Sequence, residues 1–238
     1  MIPLKDALTS SVGKKYLMSV SGIALLGFIV THLLGNLQLY FFDDGVAFNQ
    51  YAHALHELGM LLYVAEIGLL LVFLLHVAVA FAITLKTQGA RKNKYAHSLK
   101  SKGNPSYSSL ASRNMIITGT VLLVFLVLHI MHMKYGLFDP KDAVGKISVE
   151  GEEMLDLYTR VKIAFQNPLI VAGYVGVMVF LGMHLRHGFW SAFQSLGALN
   201  WRLEKPMTLL GLVAGVAIAA GFLGIPVFLY IRHLMAGG

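Results

Sequence analysis

Five apolar runs constrain this chain more than any other feature. They cover residues 16–42, 59–85, 115–134, 168–193 and 206–231. Each is long enough to cross a hydrocarbon layer ~30 Å thick, which takes about 20 helical residues. No water reaches backbone N–H and C=O groups there, so a span must satisfy them internally, as a helix does. The expected fold is an all-α integral membrane bundle of five transmembrane helices forming one domain over residues 1–238. With 56% hydrophobic and 13% charged residues, the chain departs from soluble domains, where roughly a quarter of residues are charged. The first run follows Lys14-Lys15 as a signal peptide would, but its length and the lack of a small-residue cleavage site mark it as a retained span.

The loops set the expected orientation, because Lys and Arg are retained on the cytoplasmic side. Between spans two and three stand Lys86, Arg91, Lys92, Lys94, Lys100, Lys102 and Arg113 with no acidic residue, whereas the turn after span one carries Asp43, Asp44 and Glu57. The N-terminus is expected inside and the C-terminus outside, in the cytoplasmic (inner) membrane. The net charge of +7 is explained by these loops, so lipid rather than nucleic acid is the expected partner. Two outer connections carry helical patterns. Residues 44–58 place Phe48, Tyr51, Leu55 and Leu58 along one face of a short helix bearing His53, His56 and Glu57. Met154, Tyr158, Val161 and Phe165 predict an amphipathic interfacial helix over about 152–165. Asn167-Pro168 reads as N-cap and first helical residue of span four.

The chain has no cysteine. Disulfides, iron–sulfur ligation and covalent C-x-x-C-H haem attachment are therefore excluded from it. What remains for metal chemistry is histidine. Four spans carry one near their centres: His32, His76, His129 and His184. An imidazole in hydrocarbon is costly and signals a functional partner. Spans one and three run outward, and at 1.5 Å per residue His32 lies ~25 Å from Lys15 and His129 ~24 Å from Arg113. His76 lies only ~15 Å before Lys86, and Gly68-x7-His76 matches Gly176-x7-His184. Depth thus pairs His32 with His129 in the outer half and His76 with His184 in the inner half. Two histidines facing each other at one depth can hold a haem iron from both sides, a saturated site suited to electron transfer.

Several neighbours join these candidates. Gly22 and Gly119 each precede an outer histidine by ten residues, in the echoing stretches Ser21-Gly22…His32 and Thr118-Gly119…His129, and would let a flat macrocycle approach the backbone. His132 and His187 follow His129 and His184 by about a turn and are alternative ligands, or groups facing haem propionates. Arg186 is a further candidate for a propionate. Glu66, ten residues before His76, falls roughly 15 Å further outward, level with the outer pair. It suits proton handling at a quinone, or equally a hydrogen bond between helices. His53 and Glu57 are secondary proton-handling candidates.

With these residues in view, the chain resembles the dihaem cytochrome b membrane-anchor subunit of succinate dehydrogenase and fumarate reductase, the five-helix type. The resemblance runs through Ser21-Gly22…His32-Leu-Leu-Gly-Asn36, Phe48-Asn-Gln-Tyr-Ala-His53, Glu66-Ile-Gly…His76, Ser112-Arg113…Gly119…His129 and His184-Leu-Arg-His-Gly188-Phe-Trp-Ser191. It implies two non-covalent haems b, the outer held by His32 and His129, the inner by His76 and His184, with Arg113 in the haem environment. It favours His129 over His132 and His184 over His187. It also implies a flavoprotein subunit, an iron–sulfur subunit docked on the cytoplasmic face, and menaquinone or another quinone as the membrane substrate. Some fumarate-reducing members carry a glutamate two residues before the span-four ligand; this chain has Gly182. The alternatives are a cytochrome b subunit of a hydrogenase or formate dehydrogenase, and a haem-free transporter with a histidine proton relay.

Overall fold

The computed structural model describes residues 3–89, 115–138, 144–149 and 151–237. The basic segment 90–114, with Arg113, lies outside the described residues. A short helix α1 (Leu4–Thr9) precedes the first long helix α2 (Ser11–Asn36), which tightens into a 3₁₀ turn over Leu37–Tyr40. Ser10 starts α2 by accepting from the Gly13 N–H at 3.0 Å, the usual service of an N-cap serine. Then come α3 (Val46–His56), α4 (Met60–Gly89), α5 (Met115–His129) with a π-helical turn over Ile130–Lys134, and a hairpin of β1 (Lys146–Val149) and β2 (Glu152–Leu155). The chain closes with α6 (Leu157–Ala164), α7 (Pro168–Ser195) and α8 (Glu204–Met235). Five of these, α2, α4, α5, α7 and α8, are long and apolar enough to cross a membrane.

Helix α2 packs against α4 and α7, α5 packs against α7 and more lightly against α4, and α8 covers α7 and α2. The first four spans therefore form a four-cornered bundle with α2 facing α5 and α4 facing α7 across its diagonals. The α7–α8 contact is close because small residues line it. A Cβ on Gly215 would stand 2.9 Å from the Gly182 carbonyl oxygen, and one on Gly182 would stand 2.9 Å from the Ala219 Cβ. Such small-residue seams let membrane helices approach backbone to backbone. Position 182 has no room for a glutamate. Pro226, inside α8, is almost wholly buried, and its missing N–H is tolerated because neighbouring helices shield it.

The connections α2–α4 and α5–α7 meet as a cap at one end of the bundle. Leu39, Tyr158, Phe165, Val171, Ile225 and Leu229 form its buried core. The expected helix over 152–165 is corrected here: 152–155 is strand, paired antiparallel with 146–149 so that Ile147 faces Met154, and only Leu157–Ala164 is helical. Asp156 decides the boundary, since its carboxylate accepts from both the N–H and the hydroxyl of Thr159, at 3.1 and 2.6 Å, and so caps a helix that begins after it. Met154, Tyr158 and Phe165 still share the buried side, which is why their spacing imitated one longer helix. Asn167 caps α7 by accepting from Leu169 N–H at 2.9 Å.

Asn49 of α3 ties the cap together and is 1% exposed. Its amide donates to Asp156 at 3.0 Å while its oxygen accepts from the Tyr158 N–H at 2.9 Å. Gly45, at φ 85°, lies so close to the Tyr158 ring that no Cβ fits there. Burial raises the Tyr158 phenol above its ordinary pKa, with Arg232 opposing, and the neutral hydroxyl accepts from Arg232 at 3.3 Å. The Asn49→Ala variant strands a buried N–H, a loss of about 1–3 kcal/mol. A lowered unfolding midpoint in detergent, with the helical content retained at low temperature, is the expected result.

Candidate functional site

The four span histidines fall into two layers inside the bundle. His32 of α2 and His129 of α5 face each other across one diagonal, their ring centroids 6.0 Å apart and their planes at 84°. Each stacks on a phenylalanine one turn earlier in its own helix, Phe28 at 5.4 Å and Phe125 at 5.3 Å. The second layer holds His76 of α4 and His184 of α7, close enough for their charges to interact. Ser21 and Thr118 mark its level, because the Ser21 hydroxyl lies 3.1 Å from His76 Nδ1 and the Thr118 hydroxyl 3.1 Å from His184 Nδ1. Each hydroxyl precedes the outer histidine of its own helix by eleven residues, so the layers are about 16 Å apart along the helix axes.

These hydroxyl contacts are compatible with one tautomer in particular. Ser21 donates its proton to the Leu17 carbonyl at 2.7 Å and Thr118 to the Met115 carbonyl at 3.1 Å. An oxygen that gives its proton away in this way can accept from an imidazole N–H, and with the proton on Nδ1 the Nε2 lone pair would be free, the arrangement that orients a metal-binding histidine. The next residue in each helix is a glycine. A Cβ on Gly22 would lie 3.4 Å from His76 Cε1, and one on Gly119 would lie 3.5 Å from His184 Cε1. Both glycines thus make room for an imidazole of the neighbouring helix. In the other layer, His129 Nδ1 meets the Tyr174 hydroxyl at 3.1 Å. Asn36 lies 3.5 Å from His32 Nδ1 and donates to the His32 carbonyl at 2.7 Å.

This donor set fits a haem. No group of three or more metal-binding side chains gathers among the described residues, so a metal held here by two imidazoles needs its other ligands from elsewhere, as a porphyrin supplies. Two imidazoles bonded to one metal through nitrogens at about 2 Å have centroids about 6 Å apart, the separation of His32 and His129. Near the His184 end, Trp190 Nε1 is buried with no acceptor among the described residues and stands beside His187, ring centroids 6.4 Å apart. A buried indole N–H requires a partner, and a propionate is suitable.

The remaining candidates are placed differently. His132 is buried on the π-helical turn next to Phe138. Arg186 is exposed and has no ion pair or hydrogen bond with the other described residues; its backbone packs against Gly215. Glu66 is not an isolated buried carboxylate: its side chain is 39% exposed and pairs with Lys134 at 2.5 Å, linking α4 to the end of α5. His53 and Glu57 stand 3.8 Å apart on the surface of the cap, away from the histidine layers. Ser21, Thr118, Tyr174, Asn36 and Trp190 are site residues that sequence reasoning did not identify. The hydroxyl directly before each glycine was the available signal for two of them.

Comparison with family models, with curated proteins and with solved structures gives no match.

The Ser21→Ala and Thr118→Ala variants should each weaken haem binding at the His76/His184 layer by about 10–100-fold, read by absorbance titration of the haem-depleted protein. The swaps Ser21→Thr and Thr118→Ser keep the acceptor and should restore it.

Proposed function

We propose that the chain is the membrane anchor and dihaem electron conduit of a succinate:quinone oxidoreductase, passing electrons between a docked iron–sulfur subunit and a membrane quinone. The observation that carries this reading is the two-layer histidine arrangement across the bundle diagonals, with each inner ring's Nδ1 beside a hydroxyl, a contact compatible with a free Nε2. His32 and His129 hold the outer haem b, and His76 and His184 the inner one. Bound there, the two haems supply one-electron carriers at two depths. The protein's own work is to hold the imidazoles at a fixed tautomer and spacing and to exclude water behind apolar helix faces. Succinate or fumarate chemistry takes place on a flavoprotein partner, since this chain has neither a nucleotide-binding motif nor cysteines for a cluster.

The loop charges support an N-terminus inside and a C-terminus outside in the cytoplasmic membrane. The iron–sulfur subunit docks on the basic cytoplasmic face, and the quinone, menaquinone in this reading, binds towards the outer pair. Moving one charge across the whole membrane is worth about 2.3 kcal/mol per 100 mV, so the depth of each layer bears on coupling to the membrane potential. Gly182, packed into the α7–α8 seam, argues against a proton path through that position. Glu66, paired with Lys134, serves proton handling only if that pair opens.

Haem-to-protein stoichiometry in single variants tests the assignment. The parent is expected to carry two haems b. His32→Ala and His129→Ala should lose one and the same haem, and His76→Ala and His184→Ala the other, distinguished by midpoint potential. Loss of the same haem in the His32 and His76 variants would contradict the pairing. A purified parent lacking a b-type spectrum, or one that co-purifies with a nickel or molybdenum protein, would overturn the function.

A further inference from the structure

Next to the outer pair, a groove of 580 Å³ runs between α5 and α7, within the ~300–1,000 Å³ usual for small-ligand sites. Val121, Val124 and Leu128 wall it on the α5 side, and Ile170 and Val177 on the α7 side. Val124 and Leu128 are exposed on the bundle surface, so the groove opens towards lipid. Gly173 lies on its wall, and a Cβ built there meets nothing within 4 Å. The missing side chain is therefore groove space.

The polar groups on this wall are unevenly spent. Tyr174 lines the groove together with His129, and the 3.1 Å contact with His129 Nδ1 is the only hydrogen bond of its hydroxyl among the described residues. When His129 keeps a free Nε2 lone pair, Nδ1 carries the proton and the phenol oxygen is the acceptor. The phenol O–H then has no acceptor among the described residues. Ser21 and Thr118 differ here, because each gives its proton to a backbone carbonyl. A phenol donor without a partner in an apolar wall is costly unless a ligand answers it. Phe125 and Phe138 also line the groove and offer ring faces and edges to a flat ligand.

We propose that this groove binds the headgroup of an isoprenoid 1,4-quinone, with the Tyr174 hydroxyl donating to one quinone carbonyl and the tail leaving towards lipid past Val124 and Leu128. The proposal rests on the reading of the protein as a quinone-linked cytochrome and gives its quinone a place distinct from Glu66. A flat apolar ring with carbonyl acceptors matches what the wall lacks; an acyl chain fills the space but leaves the phenol unanswered.

The test uses the full chain purified in detergent with its partner subunits, titrated calorimetrically with a naphthoquinone bearing one isoprene unit, haem content being measured on the same samples. Tyr174→Phe, which keeps the ring, should weaken binding about 5–10-fold, the size of one lost hydrogen bond. Gly173→Leu, whose Cβ has open space and whose longer side chain extends into the groove, should abolish measurable binding. Gly173→Leu should keep two haems; Tyr174→Phe also removes the hydroxyl facing His129 Nδ1, so its quinone affinity is compared with the parent at matched haem content. Binding unchanged in both variants overturns the groove assignment while leaving the dihaem reading intact, and so does loss of the outer haem in Tyr174→Phe with normal affinity in Gly173→Leu. No binding by a haem-replete parent also overturns it. A haem-free parent sinks the wider function, yet the same titration still decides the groove.

Discussion

An imidazole in hydrocarbon brings a donor and an acceptor that both need an answer. The bundle depends on how those needs are met. For His76 and His184 the answer on one side is a hydroxyl that has already spent its own proton on its helix, Ser21 to Leu17 and Thr118 to Met115. A ring that donates from Nδ1 to such a hydroxyl keeps Nε2 open. A glycine beside each hydroxyl removes the methylene that would push the neighbouring ring away. Two residue types in sequence, hydroxyl then glycine, thus accommodate a histidine that sits on another helix.

The same stretch does a second job eleven residues later. Phe28 and Phe125 stack on His32 and His129, and the α2 and α5 faces then present those histidines to each other at 6.0 Å. One repeated pattern, Ser/Thr-Gly-x5-Phe-x3-His, therefore builds a ligand of one layer and the support of the other. This geometric coupling explains why the two halves α2–α4 and α5–α7 look alike although their loops do not. The α7–α8 seam of Gly182, Gly211 and Gly215 lies outside the repeat and serves to fasten the fifth helix.

The His32/His129 layer differs from the His76/His184 layer in its polar surroundings. A phenol, Tyr174, takes the place of the small hydroxyl at His129, whereas His32 Nδ1 has the Asn36 amide nitrogen, a donor, at 3.5 Å; His132 lies on a π-helical turn, and Arg160 anchors that turn by donating to the Met133 and Lys134 carbonyls at 3.2 Å. A π-turn commonly marks a functional position within a helix. The cap of α3, the hairpin and α6 closes this end, so the layer with the more varied polar surroundings is also the one beside the most irregular structure.

Five spans and the histidine in each of four were legible from hydropathy and helical rise alone, because the hydrocarbon layer permits little besides helices and one rise per residue converts spacing into depth. The bounds of 168–193 lie close to α7, since Asn167-Pro168 announces its own helix start. The segment 152–165 misled because a strand residue and two helix residues were buried on one side, and only the Asp156 cap and the β1 pairing separate them. For Glu66 the bond between helices that the sequence left open is present, but its partner Lys134 stands on another helix at a position no local pattern encodes. The sequence by itself determined which segments form helices long and apolar enough to cross a membrane, and how far apart their histidines lie along them, as those follow from local geometry. Only the tertiary structure decided which helix faces meet, and with that the hydroxyl behind each inner histidine, the phenol at His129 and the groove beside it.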